Sequence, residues 1–338
     1  MSDIKISVVK LAEEIIDGRR LSRQDDLSFF ENCDLSELSS GADKIREKFT
    51  GNRVDLCTII NGRSGRCGEN CKFCAQSAFN HTGCDSYDFL DEDKIVAAAK
   101  KNQDAGVNRF AIVTAGKALK GEDFNKAIRT YRRMHNELNI GLCASMGFIN
   151  REQFKQLREA GVTSYHHNIE TSRRNFPNIC TSHTYDMKIE TIKLAQEEGL
   201  SVCSGGIIGM GETFADRIDM ALSLAELGIK SIPINALMAI PGTPFESLPN
   251  LTADEIIRTI AMFRYINPLA NIRLAAGRKL LGGNVRRAFE SGASATITGD
   301  MLTTTGSTIS NDIAMLKEMG REVSLSKDCG CCGSVSCC

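Results

Sequence analysis

The chain has 338 residues and 36.9 kDa, enough for one large domain or two ordinary ones. Hydrophobic residues at 42% and charged residues at 25% exclude a disordered chain. With 41 basic against 42 acidic residues there is no electrostatic reason to expect nucleic acid or an anionic membrane as partner. No apolar run approaches the ~20 residues that span a bilayer. Asp3, Glu13, Glu14 and Asp17 stand where an export signal would be apolar, so a cytoplasmic protein is expected.

In chain order, the first fifty residues read as helical, with apolar residues at helical spacing over Val8–Ile16 and a further turn or two over Asp43–Phe49. Short β-branched runs then alternate with amphipathic stretches. Strands are predicted at Val54–Ile60, Arg109–Thr114, Gly141–Ser145, Ser164–Ile169, Ser201–Ile208, Ser231–Leu237, Ile272–Leu274 and Ala295–Thr298. Helices are predicted between them, at Asp91–Ala105, Glu122–Glu137, Arg151–Ala160, Lys188–Glu198, Phe214–Leu227, Ala253–Tyr265 and Arg278–Ser291. Several end shortly before a glycine, as at Gly161 and Gly199, where a helix C-terminus turns through positive φ. Eight strands alternating with helices predict a (β/α)8 TIM-type barrel of the α/β class, whose chemistry collects in the loops after the strands. The expected division is a helical extension over residues 1–50, the barrel over 51–318 and a mobile Cys-rich tail over 319–338.

Cysteine is the compositional anomaly. There are 14, and in a long chain of this kind they read better as metal or cluster ligands, reactive groups or buried small residues than as a disulfide scaffold. Cys67, Cys71 and Cys74 form a C-x3-C-x2-C triplet in the loop after the first strand. Three thiolates this close converge on one centre. No fourth ligand lies at zinc-finger spacing, whereas three cysteines can hold a 4Fe–4S cube and leave one iron open. A zinc knuckle or incidental thiols is the bland alternative.

The triplet with Phe73 before its last cysteine, at the first strand of a barrel, resembles the radical S-adenosylmethionine (SAM) superfamily. The segments YHHNIETS (165–172), NICTSHTY (178–185), VCSGGIIGMGE (202–212), PIN (233–235) and IRLAAGR (272–278) narrow the resemblance to the biotin synthase family, over roughly Val54 to Thr305. That family inserts sulfur into dethiobiotin. Its 4Fe–4S cluster cleaves SAM to a 5′-deoxyadenosyl radical, and an auxiliary iron–sulfur cluster supplies the sulfur.

The resemblance implies the following roles. Cys67, Cys71 and Cys74 hold the 4Fe–4S cluster, with Phe73 beside the cofactor. Asn168 and Glu170 hold the ribose of SAM, and Gly205 and Gly206 let backbone approach its methionine part. Asn168 and Asn235 meet the ureido ring of dethiobiotin, although an asparagine read blind is more often a satisfied loop or core amide. Cys143, Cys203 and Arg278 hold the auxiliary cluster, a 2Fe–2S rhomb in most of the family, and Arg278 joins the three triplet cysteines in the catalytic set.

Where the family commonly reads Arg-Phe-Cys, this chain reads Arg109-Phe110-Ala111, so one auxiliary thiol is missing. A differently built cluster is expected, with Cys180 or a tail thiol folding back as substitute, or a larger cluster with a non-protein ligand. Cys33, Cys57 and Cys84 read as structural or incidental, and Cys329, Cys331, Cys332, Cys337 and Cys338 of the tail read as non-essential, with storage or delivery of iron or sulfide as the alternative. A homodimer and a reducing electron donor such as flavodoxin or ferredoxin are implied by the resemblance alone. The rivals are another barrel enzyme of the superfamily, such as an iron–iron hydrogenase maturase, and a non-catalytic iron–sulfur carrier.

Overall fold

The computed structural model describes residues 7–299 and 307–323. Ten parallel-paired strands occur: β1 (Arg53–Arg63), β2 (Arg109–Thr114), β3 (Gly141–Ser145), β4 (Ser164–His166), β5 (Ser201–Cys203), β6 (Gly206–Ile208), β7 (Ser231–Ala236), β8 (Asn271–Leu274), β9 (Ala295–Ile297) and β10 (Glu322–Val323). β1 through β5, then β7, β8 and β9, follow one another around a ring that the β1–β9 pairing closes. β6 continues the line of β5 and pairs with β7, so the two fill one barrel position. The result is a closed eight-position parallel barrel. β10 adds a short pair to the start of β1, so Glu322 and Val323, which the sequence assigned to the tail, are paired with Arg53 and Val54. The tail cysteines from Cys329 onward lie outside the described residues.

The helices are α1 (Val8–Ile16), α2 (Leu35–Thr50), α3 (Glu92–Asp104), α4 (Gly121–Glu137), α5 (Arg151–Glu159), α6 (Phe176–Ile179), α7 (Tyr185–Glu197), α8 (Phe214–Glu226), α9 (Ala253–Ile266), α10 (Val285–Phe289) and α11 (Ile309–Glu318). Sharp starts at α5, α8 and α9 come from reciprocal capping boxes, Asn150 with Gln153, Thr213 with Asp216 and Thr252 with Glu255. α1 and α2 pack on each other and α2 on α9, and the buried Tyr265 hydroxyl donates to Val8 O.

Two predicted helices change. α2 starts eight residues before the predicted Asp43, capped by Asp34. Its Ser-Ser-Gly stretch hides the periodicity, yet a Cβ on Gly41 would fall 1.8 Å from the Tyr265 hydroxyl, so packing requires glycine inside this helix. The predicted Arg278–Ser291 helix is instead a 3-10 segment over Arg278–Asn284 followed by the short α10, broken where Gly282 takes φ 54° and ψ −128°. The predicted Ser201–Ile208 strand divides at Ser204–Gly205. There the backbone of Gly205 comes so close to β7 that a Cβ would lie 1.9 Å from Pro233 O.

Candidate active site

Side chains alternate inward and outward along the barrel strands. Cys57 and Ile59 of β1, Arg109, Ala111 and Val113 of β2, Cys143 and Ser145 of β3, and Ser201 and Cys203 of β5 all face one cavity of about 350 Å³. Its upper lining is supplied by the loop after β1 and the ends of β4, β6 and β7.

That loop carries the cysteine triplet, and its shape is set by two amides. The Gln76 side-chain oxygen accepts from Gly65 N at 3.1 Å and Ser64 Oγ at 3.2 Å, while the backbones of Cys67 and Gln76 join at 3.0 Å. Asn80 Nδ2 donates to the carbonyls of Cys71 (3.2 Å) and Cys74 (2.8 Å), which ties two of the three cysteines together. All three thiols are half-buried, and Phe73 and Cys74 line the cavity. Burial pushes the Cys74 thiol up to about 11, and the nearby Glu170 carboxylate adds to the rise. A metal ion would displace the proton and gain a thiolate.

Glu170 and Asn168 follow β4 and line the same cavity. Glu170 adopts φ 70°, a costly region for a residue other than glycine, and two backbone bonds hold it there: its N–H donates to Gly205 O and its carbonyl accepts from Ile207 N at 2.8 Å. A Cβ on Gly206 would lie 2.3 Å from Glu170 O, so glycine is required for this contact. Lys188 Nζ stands 3.8 Å from the Glu170 carboxylate. Asn168 Oδ1 accepts from Gly205 N at 3.0 Å and its Nδ2 donates to Glu170 at 3.3 Å. Asn235 donates to Gly206 O at 3.0 Å and accepts from Ala276 N at 3.1 Å. Each amide therefore serves as a structural brace while keeping a second N–H and a lone pair for a ligand. His166 also faces the cavity, and burial drives it down to about 4, so it is neutral.

Two guanidinium groups, those of Arg109 and Arg273, reach the cavity floor. Asp55 is clamped between Arg273 Nη2 at 2.6 Å and Arg109 Nε at 3.1 Å. Burial alone would raise the Asp55 carboxyl, but Arg273 and then Arg109 overcome that and hold it below its usual range. Above this triad sit the buried thiols of Cys57 and Cys143 and the half-buried thiol of Cys203. Burial raises all three, Cys57 to about 11, against the opposing pull of the two guanidinium groups.

Arg278, assigned to the auxiliary cluster from sequence, does not reach this floor. It lies five residues past Arg273, beyond the end of β8, and makes a two-pronged ion pair with Asp312 at 2.7 and 2.8 Å. Arg273 is the arginine beside the cysteines, because it sits on β8 with its side chain directed inward. Cys180, offered as the substitute thiol, is also elsewhere. Its Sγ lies 3.7 Å from that of Cys71 and contacts His183, which in turn bonds to Glu69. Cys71, Cys180 and His183 bring three donor atoms within 4.8 Å of one another, next to the triplet rather than on the floor. The sequence reading gave no role to Cys57, Asp55, Arg109, Arg273, Asn80 or Lys188. Inward parity along β1 and β2 was the signal available for the first three.

Comparison with known proteins decides the family. Residues 63–224 match the Radical SAM superfamily and residues 233–322 the Biotin and Thiamin Synthesis associated domain. The chain is 60% identical over 315 residues to the biotin synthase of Alkaliphilus metalliredigens, covering 93% of this chain and 99% of the relative. Against the biotin synthase of Clostridium beijerinckii it is 61% identical over 311 residues, covering 92% and 98%.

The chain belongs to the biotin synthase family.

Among solved structures, methylornithine synthase superposes with a TM-score of 0.81 at 19% identity, covering 93% of this chain and 97% of the other. A maturase of the FeFe-hydrogenase gives 0.82 at 17% identity, covering 97% and 78%. At that identity both speak for the barrel fold alone, so the maturase alternative gains nothing beyond the shared fold. As a biotin synthase family member the protein is a radical SAM enzyme, a class that uses a 4Fe–4S cluster and SAM. The residues present fit those groups. Three half-buried thiols share one short loop at the cavity rim, and the floor sets further thiols beside Arg109 and Arg273, both of which pair with Asp55. No described helix is long and apolar enough to cross a membrane.

Proposed function

We propose that this protein converts dethiobiotin to biotin by radical-mediated sulfur insertion, consuming two molecules of SAM per turnover. The observation that carries the reading is one cavity lined at its rim by Phe73 and Cys74, at its waist by Asn168, Glu170 and Asn235, and at its floor by Cys143, Cys203 and Arg273. When bound, a 4Fe–4S cluster on Cys67, Cys71 and Cys74 supplies the electron that cleaves SAM, and an auxiliary cluster on the floor supplies the sulfur.

The chain's own residues do the placing. Glu170, oriented by its backbone bonds and by Lys188, offers a carboxylate to the ribose hydroxyls, and Asn168 offers its spare N–H beside it. The close-packed backbone at Gly205 and Gly206 forms a wall with no side chains that the methionine part of SAM can approach. Asn168 and Asn235 complement the donors and acceptors of a cyclic urea. Ile207, Pro233, Met238 and Ile240 make the remaining wall apolar and exclude water from a reaction in which a carbon radical must meet only its substrate.

The same reading makes residues 51–318 the catalytic barrel, with 1–50 as a helical extension and the Cys-rich tail dispensable. It also takes a low-potential flavodoxin or ferredoxin as electron donor, a homodimer as the assembly and the cytoplasm as the compartment.

The test is anaerobic incubation of the reconstituted protein with SAM, reductant and dethiobiotin, with 5′-deoxyadenosine and biotin quantified together by mass spectrometry. About two deoxyadenosines per biotin are expected, one per carbon–hydrogen bond broken. Deoxyadenosine without biotin would overturn the substrate assignment, and neither product would overturn the radical chemistry.

A further inference from the structure

Beside the cysteine triplet lies a second group of metal-ligating side chains that the proposed reaction does not use. Cys180 caps the end of the short α6 and is buried, and its Sγ stands 3.7 Å from that of Cys71. His183 follows three residues later, also buried, with Nε2 3.8 Å from the Cys180 sulfur. One donor atom from each of the three residues lies within 4.8 Å of the other two.

The bland reading is a cysteine that fills space beside a satisfied histidine. The spacing says more than that. Tetrahedral zinc, about 2.3 Å from sulfur and about 2.05 Å from nitrogen, sets two sulfurs about 3.8 Å apart and a sulfur and a nitrogen about 3.6 Å apart. Both edges at Cys180 already match, and a side-chain rotation of the half-buried Cys71 can shorten the third. Two thiols this close suit a single ion, whereas the cysteines of a cube each bind a different iron.

His183 is also held as a metal ligand is held. Its Nδ1 bonds to Glu69, which leaves the Nε2 lone pair for a cation. A carboxylate behind an imidazole fixes the tautomer and ring orientation of metal-binding histidines. Ser182 Oγ donates to the same carboxylate at 2.7 Å, and the rings of Phe148 and Phe176 meet the imidazole edge-on. Asn70 staples this segment to the triplet loop, its Oδ1 accepting from the backbone N–H groups of Thr181 and Ser182 at 3.0 Å each. Lys72 N adds a bond to Ile179 O at 2.9 Å.

We propose that in the chain without its 4Fe–4S cluster Cys71, Cys180 and His183 bind one thiophilic divalent cation in a tetrahedral site whose fourth position is open. Binding releases a proton from each thiol and changes no oxidation state. Cys71 belongs to both sites, so the single ion and the cube exclude each other, a consequence that rests on the proposed assignment of Cys71 to the cluster. Zinc outcompetes ferrous iron for such donors, and a zinc ion here therefore blocks cluster loading.

The experiment titrates the metal-free full chain anaerobically with zinc against a chromophoric chelator and counts the tightly bound equivalents. Cys180→Ala and His183→Ala should each lose one equivalent that a chain carrying both Cys67→Ala and Cys74→Ala retains. Glu69→Gln should weaken the same equivalent by about 10–100-fold. Metal-free thermal midpoints report folding, and Cys180→Ser, which keeps the size of the side chain, replaces the alanine variant should that one unfold. An equivalent retained without Cys180, or lost instead with Cys67 and Cys74, would overturn the site. Zinc added before iron and sulfide should prevent assembly of the cube in wild type but not in Cys180→Ala, and equal loading of both would overturn the competition. A Cys71→Ala chain that still assembles the cube would overturn the assignment of Cys71 to the cluster, and the competition with it, without altering the zinc titration of the wild type.

Discussion

The Asp55 triad gives the most demanding test of the site's electrostatics. Asp55→Asn keeps the shape of the side chain but removes the carboxylate set between Arg109 and Arg273, both arginines being buried and Asp55 nearly so. Removing one partner from a buried ion pair leaves an uncompensated charge, at a cost of about 3–5 kcal/mol. Unfolding entropy of about 2.1 cal/mol/K per residue over 338 residues comes to roughly 0.7 kcal/mol/K, so about 4 kcal/mol lowers the thermal midpoint by roughly 6 °C. That figure applies to the metal-free chain. In the loaded protein an anionic cluster beside the same arginines restores part of the missing charge, and the drop should be clearly smaller. The assay is anaerobic scanning calorimetry of variant and wild type, with and without iron and sulfide. A metal-free midpoint lowered by less than about 2 °C would refute the claim that Asp55 is the principal counter-charge of the floor. An equal drop in both states would refute the pairing of these arginines with a bound anionic group.

Two further outcomes separate neighbouring residues. Arg278→Met should destabilise the chain by breaking the Asp312 pair while leaving the iron content unchanged, whereas Arg273→Met should alter the auxiliary iron signal; the reverse pattern would return the ligand role to Arg278. Asp216 accepts from Ser172, Arg174 and the Thr213 backbone, and although burial opposes them, these bonds hold its carboxyl down to about 2. The folded state therefore favours the anion, contributing about 2 kcal/mol that is present above pH 4 and lost as pH falls from about 4 to 2. Urea denaturation of the metal-free Asp216→Asn chain should show that loss already at neutral pH and a flatter acid limb, and curves parallel to wild type would sink the assignment.

The sequence carried much of the site because its signals are local. The C-x3-C-x2-C spacing places three thiols in one loop whatever surrounds it, and the order of strands and helices already implied a barrel with that loop on its catalytic face. Val8–Ile16, Arg109–Thr114 and Gly141–Ser145 were read to the residue, because β-branching and helical periodicity are properties of consecutive residues. Asn168, Glu170 and Asn235 were legible only through longer matched segments, since an isolated asparagine says nothing of what it faces. The floor was the part that sequence alone could not resolve. Arg273 and Arg278 sit five residues apart in one segment, and only the end of β8 decides which turns inward. Cys57 and Ala111 are 54 positions apart, and no period connects them. Their proximity follows from the register that hydrogen bonding fixes between β1 and β2, a tertiary fact that composition and periodicity do not contain.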